Sequence, residues 1–125
     1  MRKIFVLCGI VLLSGAIAAF VVLYRPTVHG QPFRMSVVTP LATVLASPAA
    51  YLAGDLRTEG RIIRQCPSAG CWFYLEDGQG RQLRVELGHL GLKFPQHVGG
   101  LAEVEGRLLQ HGHDLELVGN SVRFK

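Results

Sequence analysis

The sequence predicts an all-β domain, a small five-stranded barrel led in by a short helix, standing behind one N-terminal transmembrane helix. Three observations carry that expectation. Ile4 to Tyr24 runs without a charge. From Asp55 onward the hydrophobic period changes to two, the spacing of a half-buried strand. Glycine-containing turn signals then divide this alternating region into consecutive runs, the pattern of a meander.

The N-terminal run of about 21 residues is, at 1.5 Å per residue, long enough to cross a hydrocarbon core of about 30 Å. Arg2, Lys3 and the amino terminus precede it, so the positive-inside bias holds the start in the cytoplasm and exports the rest. Ala16-Ile17-Ala18 offers a competing reading, a cleavable signal peptide. The apolar continuation from Ala19 to Tyr24, ending in an interfacial Tyr24-Arg25 pair, favours an uncleaved anchor over residues 1–25. Cys8 reads as a small apolar residue of that helix, too early for lipoprotein processing. The expected location is therefore the inner (cytoplasmic) membrane, single-pass through residues 4–24, with the C-terminal domain on the periplasmic side.

The chain has 125 residues, and the part beyond the anchor suffices for one small domain. Its net charge of +4 is largely a membrane-flank effect of Arg2, Lys3 and Arg25. In the body, Arg57, Arg61 and Arg64 are balanced by Glu59, Glu103, Glu105 and Glu116. No basic stripe tracks a phosphate backbone, which excludes nucleic acid from the expected partners.

Residues 26–38, with Pro26, Gly30 and Pro32 and no periodicity, read as a linker in which His29 is solvated. The domain spans 39–125. Thr39-Pro40 resembles an N-cap followed by proline at the first helical position, and Leu41, Val44 and Leu45 share one face of a helix ending near Ser47-Pro48. That helix is expected to plug the first strand, Asp55 to Ile62, where Leu56, Thr58, Gly60 and Ile62 alternate with charges. Cys71–Glu76 and Gln82–Leu87 form a hairpin about Asp77-Gly78. After a longer connection whose Leu90, Leu92, Phe94 and Val98 can cover one end, Leu101–Gln110 and Asp114–Phe124 pair about His111-Gly112-His113. Thr58-Glu59-Gly60-Arg61-Ile62 and Val104-Glu105-Gly106-Arg107-Leu108 repeat one pattern, a glycine within a strand, the bend by which small barrels close. An OB-type barrel fits this order.

Tyr51, Glu59-Gly60, Cys66-x4-Cys71-Trp72, Asp77-Gly78, Arg84-Val85, Phe94-Pro95 and Glu105-Gly106 together resemble a family of small exported bacterial OB-fold domains. The resemblance covers Thr39 to Lys125, and Gly70-Cys71-Trp72 is its most specific part. It implies the fold and the exported location, and it brings no activity with it. The membrane-spanning start and the His111-Gly112-His113 turn depart from the pattern.

Cys66-Pro67-Ser68-Ala69-Gly70-Cys71-Trp72 is where chemistry is expected. Outside the cytoplasm neighbouring thiols oxidise, and a Cys66–Cys71 disulfide across a strand reversal would stabilise a small core by about 2 kcal/mol. A second reading places His111 and His113 beside the cysteines as a Zn(II) or Cu(I) site, the only cofactors the residues suggest. A third is a thiol-disulfide redox protein, against which stands the expected position between strands rather than at a helix start. Trp72, Phe73 and Tyr74 form a candidate binding face able to stack a ring, with Phe73 expected to point outward and its neighbours inward. No serine-histidine-acid order, phosphate loop or acid pair is present to support an enzyme. The expectation is a non-enzymatic, membrane-anchored binding or assembly module working with an envelope protein partner.

Overall fold

The computed structural model describes residues 1–23 and 26–125, residue 2 by its backbone alone; the interfacial pair Tyr24-Arg25 lies outside the described residues. Helix α1 (Arg2–Leu23) is 22 residues long, about 33 Å at the helical rise, and its side chains from Lys3 to Leu23 are exposed. It is long and apolar enough to span a membrane.

Strands β3 (Asp55–Gln65), β4 (Trp72–Glu76), β5 (Gln82–Glu86), β6 (Leu101–His111) and β7 (Asp114–Phe124) stand where the alternation places them. They close into a ring: β3 pairs β4, β4 pairs β5, β5 pairs β7, β7 pairs β6, and β6 returns to β3. Every contact is antiparallel except β5 with β7. The ring encloses Leu56, Ile62, Phe73, Leu75, Leu83 and Leu117, all essentially without exposure.

The repeated glycines serve the closure in two different ways. Gly60 sits where β3 leaves β6 and takes up β4, and an added Cβ there would meet Leu41 Cδ2 at 2.8 Å. The bulge expected in β3 lies two residues on, between Ile62 and Arg64. Gly106 stands at the register shift against β7, where Glu105 pairs Ser121 but Gly106 pairs Gly119. A Cβ there would lie 2.1 Å from the Val118 carbonyl oxygen, which is backbone and cannot swing aside. Gly106→Ala is therefore expected to cost about 2 kcal/mol, read as a lower denaturant midpoint at unchanged m. An unchanged midpoint would show that the bulge yields.

Helix α2 (Leu41–Ala46) ends at Ser47 as expected and buries Leu41 and Val44 against the ring. Its start differs from the capping expectation. Thr39-Pro40 form a short strand β2, parallel to β3, and the Thr39 carbonyl accepts a 2.8 Å hydrogen bond from the Thr58 hydroxyl. Pro40 is the N-cap, with no side-chain cap bond. At the other end of the ring Phe94 is buried and Leu90 packs on the core, whereas Leu92 and Val98 are exposed.

The segment read as a linker is largely fastened down. Val28–Gly30 is strand β1, antiparallel to β7. His29 is not a solvated side chain: it is half-buried, edge-on to Phe94 and Phe124 at 5.9 and 5.6 Å. Further on, the Glu105 carboxylate accepts the backbone N–H groups of Arg34 and Met35 at 2.9 to 3.1 Å, and the Arg57 guanidinium lies 4.0 Å over the Phe33 ring. Edge pairing and one buried carboxylate thus override a local sequence rich in proline and glycine.

Candidate functional site

Strand parity decides which aromatic faces which way. In β4, Phe73 and Leu75 are buried, and Trp72, Tyr74 and Glu76 are only partly covered; in β5, Leu83 and Val85 are buried between the outward Arg84 and Glu86. The expected orientation of the triplet is thus inverted. Phe73 is the core ring, and Trp72 and Tyr74 are the outer pair. The charged Glu76 shares a face with every second residue before it, which is the signal that fixes this parity.

The outer face joins rings and guanidinium groups. Trp72 and Tyr74 meet edge-on at 6.0 Å, Arg64 stacks 4.2 Å over Tyr74, and Arg84 lies 5.3 Å from the Trp72 centroid. Arg84 is also held by Glu86 at 2.7 Å and Glu116 at 3.1 Å. Burial alone would lower the Arg84 pKa, but hydrogen bonds from its guanidinium to Tyr74, Glu86 and Glu116 raise it instead, so the cation is fixed in place. Beside this cluster runs an open groove of about 510 Å³, lined by Tyr74, Gln82 and Arg84 on one side and by His111, His113 and Glu116 on the other. Such a face suits a ligand offering both a flat group to stack and polar groups to pair. Its charges alternate in sign, unlike a phosphate-tracking stripe.

The histidines do not join the cysteines. The parallel pairing of β5 with β7 sets Arg84 beside Glu116, and β4 sets Tyr74 beside Arg84. That register puts the exposed Gly112-His113 turn level with Gln82 and Glu76, while Cys71 precedes the other end of the five-residue β4. The length of that strand is roughly 16 Å, far beyond the reach of shared ligation. Among the described residues no group of three or more histidine, cysteine or carboxylate side chains is arranged to hold a metal ion. The four-residue set Cys66, Cys71, His111 and His113 is corrected accordingly: the expectation rested on adjacency of the two hairpin connections, and the β5–β7 register separates them.

The two cysteines are neighbours, as their spacing predicts, but the expected disulfide is not at bonding distance. Both are free thiols, Cys66 8 % exposed and Cys71 half-buried. Their loop is firmly seated. The Cys66 N–H donates to the Trp72 carbonyl at 2.9 Å, the Leu87 N–H to the Cys71 carbonyl at 2.7 Å, and the Phe94 N–H to the Ala69 carbonyl at 2.9 Å. Gln96 Nε2 donates to the Cys66 carbonyl at 2.9 Å. Gly70, at φ +65°, is required here, because a Cβ would meet the Phe94 carbonyl oxygen at 2.9 Å.

No protein-family model and no curated protein matches the chain. Among solved structures it is similar to a crystal structure assigned to an aspartyl-tRNA synthetase from Leishmania major Friedlin, with a TM-score of 0.51 and 15 % identity. The match covers 88 % of this chain and 26 % of that one, so the chain spans about a quarter of the larger protein's length. At that identity the likeness concerns the fold, which recurs as one segment of a much longer chain.

Proposed function

We propose that this chain is a membrane-anchored, extracytoplasmic OB-type binding module whose contact surface is the outer face of β4 and β5. The ring order β3-β4-β5-β7-β6, with its one parallel pair between β5 and β7, the third and fifth ring strands along the chain, supports the OB assignment. The charge order around α1 supports export of the ring: Arg2 and Lys3 precede the apolar span. Resemblance to the exported family with the Cys-x4-Cys-Trp motif agrees with both.

One observation carries the binding role. Trp72 and Tyr74 are kept on the outside of a small domain whose core holds other rings, and two arginines stack on them beside a groove. The partner is an envelope protein close to the bilayer. From Leu23, the last residue of α1, to Val28, the first of β1, the chain can stretch at most about 18 Å. The ring is thereby held close to the end of the span.

A photo-crosslinking amino acid at Gln82, in full-length chain in native membranes, is expected to yield one discrete adduct. The same reagent at Gln79, which lines a different part of the surface, is expected to yield none. Trp72→Ala and Arg84→Ala should each reduce the Gln82 adduct by tenfold or more at unchanged chain level, the loss typical of a buried aromatic or arginine anchor. Equal adducts from both sites, or insensitivity to both substitutions, would remove the face from the reading.

A further inference from the structure

The thiol pair lies outside the binding face and has its own surroundings. Pro67 to Ala69 form a single turn, closed by the Gly70 N–H donating to the Cys66 carbonyl at 3.0 Å. Cys66 thereby stands immediately before the turn, at the position a capping residue takes. Pro67 has no N–H to offer, and the N–H groups of Ser68 and Ala69 open the turn that follows Cys66. The Ser68 hydroxyl lies 3.3 Å from the Cys66 sulfur. That hydroxyl is a donor suited to a thiolate, built into a strand connection. Cys71 is brought beside Cys66 by the strand pairing, in which Gln65 faces Phe73 and the Cys66 N–H donates to the Trp72 carbonyl at 2.9 Å.

We propose that Cys66 and Cys71 form a thiol–disulfide exchange couple, Cys66 attacking as the thiolate, Cys71 resolving, with a slender organic disulfide as co-reactant. The limited exposure of Cys66 admits a low-molecular-weight or flexible peptide disulfide over the exposed Pro67-Ser68 turn, not a bulky folded one. In the first step the Cys66 thiolate attacks one sulfur of R–S–S–R. The Cys66–S–R bond forms, the S–S bond breaks, and RS⁻ leaves and takes a proton from solvent. In the second, Cys71 loses its proton to solvent and attacks the Cys66 sulfur, forming the intrachain disulfide and releasing the second RS⁻. The protein dithiol is oxidised by two electrons, and R–S–S–R is reduced to two RSH.

The electrostatics divide the roles the same way. The Ser68 hydroxyl first, then the Ala69 and Ser68 N–H groups, bring the Cys66 thiol down from 9.0 to about 6. Burial first, then the hydrogen bond to Cys66 and its charge, then Glu86, push Cys71 up. At pH 7 a thiol of pKa about 6 is about 90 % thiolate, against about 3 % for a free cysteine. A more acidic thiolate is also a weaker nucleophile, which returns roughly tenfold of that roughly thirtyfold gain. The position of the pH midpoint is therefore a sharper readout than the rate at neutrality.

The test uses the full-length chain in detergent micelles, with Cys8→Ser to silence the third thiol. Alkylation by iodoacetamide, mapped by peptide mass, should show a Cys66 midpoint near pH 6, moved upward in Ser68→Ala. With oxidised glutathione, Cys71→Ala should accumulate an adduct on Cys66, and Cys66→Ala at least tenfold less on Cys71. Wild-type protein should pass through to the intrachain disulfide with release of two reduced glutathiones. A disulfide-linked dimer of an unstructured peptide, run in parallel, identifies the preferred source of the disulfide. A Cys66 midpoint in the ordinary range near 8.5, equal adducts on both cysteines, or no intrachain disulfide in the wild type would each overturn the assignment.

Discussion

Phe73→Ala is expected to lower the unfolding free energy by about 4 kcal/mol, while Trp72→Ala, one residue away, changes it by less than about 1 kcal/mol. The difference arises from parity alone. Phe73 has no exposure, meets Phe124 at 6.0 Å, and sits opposite Val85 in the ring interior, so its removal leaves a cavity with no water to fill it. Trp72 keeps an outer face and touches Tyr74 and Arg84 only from that side. A domain of this size has a total stability of about 5–15 kcal/mol, so the first substitution removes a large fraction of it. Urea titration of both variants in micelles checks the pair. Similar losses from both would mean that the two rings share burial and that the outer face is not free to bind.

The parity of β4 also shows what the sequence makes legible and what it conceals. The five ring strands are readable because each alternates over a half-buried stretch, and Leu56, Thr58, Gly60 and Ile62 fall inward as their period demands. Three successive aromatics erase that alternation locally; only Leu75 and Glu76, further along, restore it. Strands β1 and β2 are hidden for a different reason. They are three and two residues long, too short for any period, and exist because β7 and β3 offer an edge to pair with. The candidate site was legible in its parts rather than in its assembly. Proximity of Cys66 and Cys71 is a local matter, set by a turn of four residues between them. The distance from Cys71 to His113 depends on how β5 registers against β7, a long-range pairing that no spacing encodes. The donor turn around Cys66 had a signal, Cys-Pro-Ser with glycine closing the turn, but proline and serine in a strand connection ordinarily mark only a change of direction.

Glu103 is expected to be the other position of large effect, and pH is its natural probe. Its carboxylate is essentially without exposure, in a strand facing Arg57, Arg123 and Lys125. Lys125 reaches it at 3.2 Å and also pairs with Glu59. Burial alone would raise the Glu103 pKa, but hydrogen bonds from Arg123, Arg57 and Lys125 hold it below its ordinary 4.5. A depressed folded-state pKa means that the stabilisation is complete above the unfolded value and is lost as pH falls through the folded one. Asp77 adds to the same acid sensitivity. Burial opposes its ionisation, yet the Gln79 N–H and the Arg81 side chain and N–H keep its pKa low. Glu103→Gln keeps the shape, leaves three cations facing a neutral amide, and is expected to cost about 3 kcal/mol at pH 7. As the pH is lowered from 7 to 3, wild type should converge toward the variant, because protonation removes from one what substitution has already removed from the other. Parallel losses of stability across that window would show that Glu103 is not the carboxylate on which acid acts, and that its three cations are held by other partners.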